Sequence, residues 1–284
     1  GVFSSIYHPV GIPMLLRDAK RPGRTIGING LSGNLGIALA AVVTGVLVKY
    51  FGWRTAFVVP ALVSIACGLL FARFSPPEGE PPTRRKLTSP AVPSAVLVRV
   101  FAVITVIATT SALLFNFTTN GNTELLRERM ARVVSDPAAL GVLLALVYAI
   151  ASLAQVLVGH LIDRVPMKRL LLAIVALQVP LFALASQAQG WVFFVLIVLF
   201  MGVVFGAIPF IDAIIVRFVD DRMRSRVAGA RLALSFSISS LAVYLLGPVV
   251  KASGFDALLL TMAGIAVVTL SAAVWLPSPA GQRQ

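Results

Sequence analysis

Long apolar stretches alternate with short polar, basic segments along the whole chain. Eight of them, at 26–48, 55–74, 96–119, 138–162, 168–187, 190–216, 227–250 and 255–276, are each long enough to cross a bilayer. A crossing needs about 20 mostly apolar residues, because the hydrocarbon core is about 30 Å thick. Backbone groups find no water partner there, so each stretch is predicted to be a helix. The expected class is an all-α, polytopic membrane protein. Residues 1–16 read as the end of a further helix. Pro76, Pro77, Pro81, Pro82, Pro90 and Pro93 mark 75–94 as an extended linker between spans two and three.

Composition narrows the picture. Hydrophobic residues make up 58% of the 284 and charged ones 12%, too apolar for a soluble domain. The net charge of +13 would suit nucleic acid if it formed one patch, but the charges sit at span ends, so no nucleic-acid partner is expected. Eighteen of the 24 Lys and Arg residues fall on one side of the predicted topology and six on the other. The positive-inside rule makes the richer side cytoplasmic, with the central loop and the C-terminus there. Trp53, Trp191 and Trp275 fall at span ends, as interfacial belts require. Arg127, Arg129 and Arg132 are read as a loop group on the poorer side, offset by Glu124, Glu128 and Asp136. Lone Cys67 reads as inert helix packing. His8 and His160 are isolated, and no metal, cofactor, nucleophile or phosphate-loop pattern is present, so an enzyme is not expected.

The chain also repeats itself. With a shift of 202, residues 24–52 overlie 226–254 and eight of 29 positions are identical, including Arg24/Arg226, Gly27/Gly229, Gly45/Gly247, Lys49/Lys251 and Gly52/Gly254. Span one thus corresponds to span seven in the same orientation, which predicts two six-helix halves related about the membrane normal. On that reading 1–74 ends the first half, 75–94 links, and 95–284 is a complete second half. About 105 or more residues would precede Gly1 if the repeat holds, and the 284-residue chain alone is then expected not to transport.

Three local patterns carry a resemblance. The segment from Gly159 to Arg169, with Asp163-Arg164 and Lys168-Arg169, is similar to the G-x-L-x-D-R-x-G-R-K loop of the major facilitator superfamily, departing at Pro166 and Met167. Phe51-Gly52-Trp53-Arg54-Thr55-Ala56-Phe57 resembles its turn after the fifth helix. Ser5 to Pro9 resembles the fourth helix of fosmidomycin-resistance-like members. The resemblance implies a 6+6 helix bundle lacking the first three helices and part of the fourth. It implies a monomeric secondary transporter of the inner or plasma membrane, moving a small molecule by alternating access, with protons as the coupling ion. The fifth-helix antiporter pattern is incomplete: Gly27, Gly36 and Gly45 align, but Ala40-Ala41 replaces the Gly-Pro pair. Drug efflux by antiport and metabolite uptake by symport therefore both stay open. So does a sensor, or a truncated product, that binds without turnover.

Candidate residues follow from the same pattern. Asp163, with Gly159 and Arg164, is expected to meet the start of the fifth helix near Arg24 and Gly27, as a helix cap or an Arg partner, and to close the cytoplasmic side. The alternative is a solvated charge. Polar stripes at helical spacing mark a cavity or interhelical glue. They are Thr105, Thr109, Asn116 and Asn120; Tyr148, Ser152 and Gln155; and two in span seven, Arg231/Ser235/Ser239 and Ser237/Ser240/Tyr244. The cavity candidates are Asn116, Asn120, Tyr148, Gln155, Ser235 and Ser239. Asp212 is the one acid well inside a span, a proton-coupling candidate or a partner for Arg231 or Arg217. Gly27, Gly30, Gly33, Gly36, Gly202 and Gly206 are expected to let helices approach closely.

Overall fold

A computed structural model describes residues 11–16, 19–75, 94–218 and 221–276. The segment resembling a fourth-helix end, His8, and most of the expected linker lie outside these residues. The elements are α1 (Ile12–Leu16), α2 (Pro22–Phe51), α3 (Thr55–Phe74), α4 (Ser94–Met130), α5 (Pro137–Ile162), α6 (Met167–Gln187), α7 (Gly190–Phe218) and α8 (Asp221–Val274). Among the described residues six helices, α3 to α8, are long and apolar enough to cross a membrane. The expected span at 26–48 lies within α2, and α8 holds the last two expected spans.

The 54 residues of α8 would reach roughly 80 Å as one straight helix at about 1.5 Å per residue, far more than a bilayer. The break is at Gly254, where φ is 75°. Its repeat partner Gly52, at φ 86°, ends α2. Side chains other than glycine resist this left-handed region. Both copies of the repeat therefore end on the same backbone device. After Gly52 the Thr55 hydroxyl donates to the Gly52 carbonyl at 2.6 Å, and Arg54 lies over the Trp53 ring, 4.8 Å from its centroid. The basic and aromatic residues of this turn contact one another while staying exposed.

The chain divides into two compact units, 1–34 with 94–284, and 35–93. In the smaller unit α3 buries none of its residues, and Cys67 is exposed there rather than packed. The larger unit has two apolar clusters. One gathers Ile104, Ile107, Leu171, Phe210, Ile214 and Leu276 near the ends that carry the basic loops. The other gathers Leu126, Met130, Phe182, Phe193, Phe200 and Leu259 toward the opposite ends.

One boundary differs from expectation. The third span was placed at 96–119 with a charged loop after it, but α4 runs 37 residues to Met130. The extension keeps helical period: Leu125, Leu126 and Met130 are buried, and Arg127 pairs with Glu124 one turn back. Arg129 is not a loop cation. Its side chain is 3% exposed and pairs with Asp256, just past the Gly254 break, with Glu128 at 3.7 Å.

The last helix is held at its C-terminal end. Lys168 Nζ donates to the carbonyls of Val274 at 2.8 Å and Leu276 at 2.6 Å, and Arg99 lies 5.6 Å from the Trp275 ring centroid. A cation suits the negative end of a helix, and orphan carbonyls there need donors. Lys168→Ala is expected to cost about 1 kcal/mol and to fray the end of α8. Faster amide hydrogen exchange confined to 270–276 is the readout. Unchanged exchange there would show the two bonds to be incidental.

Candidate gate and buried polar site

Two sites emerge, both built by the larger unit. The first joins the start of α2 to the end of α5. Asp163 follows the last residue of α5, and its two carboxylate oxygens accept the backbone N–H groups of Gly23 and Arg24, each at 2.9 Å. These N–H groups belong to the first turn of α2, where no intrahelical acceptor exists and the helix dipole is positive. Asp163 therefore meets Arg24 as expected, but through the main chain. The side chains of Arg24 and Arg164 are exposed.

Close approach of the two helices makes this possible. A Cβ at Gly159 would lie 2.5 Å from the Gly23 carbonyl oxygen and 3.0 Å from the Gly27 Cα. One at Gly27 would lie 3.0 Å from the Gln155 carbonyl oxygen, and one at Gly30 would strike the Gln155 amide at 2.5 Å. Gly23, Gly27 and Gly30 fall on one face of α2, opposite Gln155, Gly159 and Asp163 on α5. Among the described residues a Cβ at Gly33 or Gly36 would have nothing within 4 Å, so the close approach seen at Gly27 and Gly30 does not extend to them there. Gly206 does approach α5, 3.0 Å from the Val158 Cγ2, whereas Gly202 makes only ordinary contact. The seam ends on Asn34, whose Nδ2 donates to Gln155 Oε1 at 2.8 Å. Gln155 is 2% exposed and here bridges two helices.

The second site lies among α4, α7 and α8. Of the two α8 stripes, Arg231, Ser235 and Ser239 are buried, and Ser237, Ser240 and Tyr244 are exposed. Arg231 reaches Asp212 of α7 at 3.6 Å, the pairing weighed from the sequence. Ser235 Oγ lies 3.5 Å from Thr109 Oγ1 of α4.

The remaining cavity candidates do not join either site. Asn116 donates to its own helix at the Ala112 carbonyl, 2.8 Å away, and Asn120 to that of Asn116, also at 2.8 Å. Tyr148 donates to the Thr119 carbonyl at 3.4 Å and stacks on Phe205, centroids 6.1 Å apart. Phe205 also meets Phe115 at 5.5 Å. Among the described residues no group of three metal-ligating side chains comes together.

Sequence reasoning missed three participants. Gly23 lies one turn before the glycines singled out, and its pairing with Gly159 was the available signal. Asn34 is the next polar position on the same face as Gly27 and Gly30. Lys168 was read as a loop charge, although its place at a helix start beside the last span is what puts it on α8.

With this geometry in view, comparison with known proteins adds one finding. Residues 1–126 match the Major Facilitator Superfamily. The match covers α1 to α3 and most of α4, less than half of the chain; it is a similarity to that superfamily over this stretch and, with the apolar helices, supports a membrane transporter in general. No curated protein matches the chain.

Proposed function

We propose that the chain works as a secondary active transporter, moving a small molecule by alternating access with proton coupling, and that Asp163 is its cytoplasmic latch. The observation that carries this is the capped contact between α2 and α5. On the internal repeat these helices belong to different halves, so a contact between them must break when the halves rock apart on that side. The carboxylate is exposed, which keeps the contact reversible. Basic loops at the same end fit a cytoplasmic position. Asp212 stays the proton-carrier candidate, with its charge held by Arg231 between cycles.

A cap of this kind is worth about 1–2 kcal/mol, so its removal is expected to shift the open/closed balance roughly 5- to 30-fold. The test uses a Cys67→Ser background carrying Thr109→Cys, labelled by a membrane-impermeant maleimide applied to the cytoplasmic face. Asp163→Ala should speed labelling by that factor, and Asp163→Asn, which keeps one acceptor oxygen, by less. Identical rates in all three proteins would rule out the latch.

A further inference from the structure

The buried face shared by α4, α7 and α8 holds more hydrogen-bonding capacity than the described residues satisfy. Arg231 is 8% exposed and Ser239 2%. Among the described residues Arg231 Nε, Ser239 Oγ and Thr105 Oγ1 are buried with no hydrogen-bond partner. Buried donors are ordinarily paired, and leaving them unpaired is unfavourable. Two of the three fall together, Arg231 and Thr105, and Ser239 lies two turns further along α8. Arg231, Ser235 and Ser239 are successive turns of one α8 face, and Thr105 and Thr109 are successive turns of α4. The Thr109–Ser235 contact at 3.5 Å fixes the two stripes side by side. Both helices start at the basic end, so Thr105 falls on the Arg231 side of that contact. Ile104, Ile107, Ala108, Ile211 and Ala228 close around them as an apolar wall.

The chemistry of the set selects its ligand. A guanidinium donates only, and the hydroxyls can all donate at once to an acceptor. A cation would face Arg231, and an apolar molecule would leave every donor unpaired. An oxyanion can satisfy Arg231 and Thr105 together, and a planar guanidinium fork suits carboxylate or phosphate. Asp212 neutralises Arg231 in the present state, but at 3.6 Å it lies beyond the 2.7–2.9 Å usual for a charge-assisted bond. It balances the charge through a long contact at Nη2, while Nε has no hydrogen-bond partner among the described residues.

We propose that this junction binds a small oxyanion, carboxylate or phosphate, on Arg231 and Thr105, and that Asp212 is the counter-ion the ligand displaces. The inference rests on the transporter reading only for calling the ligand a substrate; the binding itself stands apart from transport.

The test is equilibrium binding of radiolabelled acetate and, separately, inorganic phosphate to the full chain in neutral-lipid nanodiscs near neutral pH. Saturable binding of one probe at one site per chain is expected. Asp212→Asn removes the competing carboxylate and should tighten binding about tenfold, equivalent to about 1.4 kcal/mol. Arg231→Gln should abolish it, and Thr105→Val should weaken it several-fold. Preference for phosphate over acetate, or the reverse, distinguishes the two oxyanions. Tighter binding on losing a carboxylate is what a merely structural ion pair would not give. Weaker or unchanged binding in Asp212→Asn overturns the proposal, as does wild-type binding in Arg231→Gln or no saturable binding of either probe. If Arg231→Gln fails to fold, the other two variants still decide. A chain that binds as expected but moves no labelled probe into vesicles would retain this site and overturn the transporter reading instead.

Discussion

Gly159→Ala is expected to unseat α2 from α5. The new Cβ would sit 2.5 Å from the Gly23 carbonyl oxygen and 3.0 Å from the Gly27 Cα. Both are main-chain atoms, so no rotamer change relieves the clash. The helices must separate by about 1 Å to restore ordinary contact, and overpacking of this kind costs about 1–3 kcal/mol. Separation also carries the Asp163 carboxylate away from the Gly23 and Arg24 N–H groups. The variant should therefore label at Thr109→Cys at least as fast as Asp163→Ala, with a lowered thermal midpoint. The double variant Gly159→Ala/Asp163→Ala should be little worse than Gly159→Ala alone, because the first change already removes what the second would remove. Gly33→Ala, where a Cβ meets nothing among the described residues, is the matched control and should be harmless. A Gly159→Ala protein that closes and melts like wild type would show that the seam yields easily and does not position the latch.

The second large effect lies at the opposite end of the bundle and is asymmetric. Arg129 is 3% exposed and its partner Asp256 59%. Removing the exposed acid leaves a buried guanidinium with only Glu128, at 3.7 Å. Removing the buried base leaves an acid that water can solvate. Breaking a buried pair from the wrong side costs about 3–5 kcal/mol, whereas an apolar replacement of the buried member is often near neutral. Half-exposure of this pair argues for the lower end, about 2–3 kcal/mol for Asp256→Ala. Arg129→Met should lose clearly less. At about 2–4 °C per kcal/mol for a chain of this size, thermal scans in detergent separate the two. Equal midpoints, or Arg129→Met the worse, would show that this pair does not hold α4 to the start of the last span.

The spans were legible because lipid imposes a length and an apolar composition that no other class of protein needs. Gly52 and Gly254 were legible as a repeated pair, and their shared left-handed backbone gives that repeat a physical meaning. Asp163 was legible as a cap for the fifth-helix start through the resemblance of its loop, since a helix end alone leaves a solvated charge equally open. The end of α4 was not legible, because Asn120, Glu124 and Arg127 look like a loop until Leu126, Arg129 and Met130 are seen to share a buried face. What Asn116 and Asn120 bond to was not legible for a related reason. A polar residue at helical spacing can turn back on its own carbonyls, and spacing alone does not separate that from a side chain aimed at a neighbour. Nor could spacing reveal that Gly33 approaches none of the described residues while Gly23 sets the contact, since the choice of face is made by the partner helix.

The segment from Asp163 to Lys168 touches two helices of opposite polarity. Its acid sits on the positive end of α2 and its base on the negative end of α8. Only Arg164, Val165, Pro166 and Met167 lie between. Pro166 fixes the backbone there and Met167 is buried in the core, so the distance between the two charges is set rather than free. The segment acts as a ruler. Lys168 anchors one mark to the body of the last helix, and the other mark then meets α2 only when that helix arrives at one particular place. The exposed Arg164 and Val165 can change with little consequence, but the length of the stretch cannot.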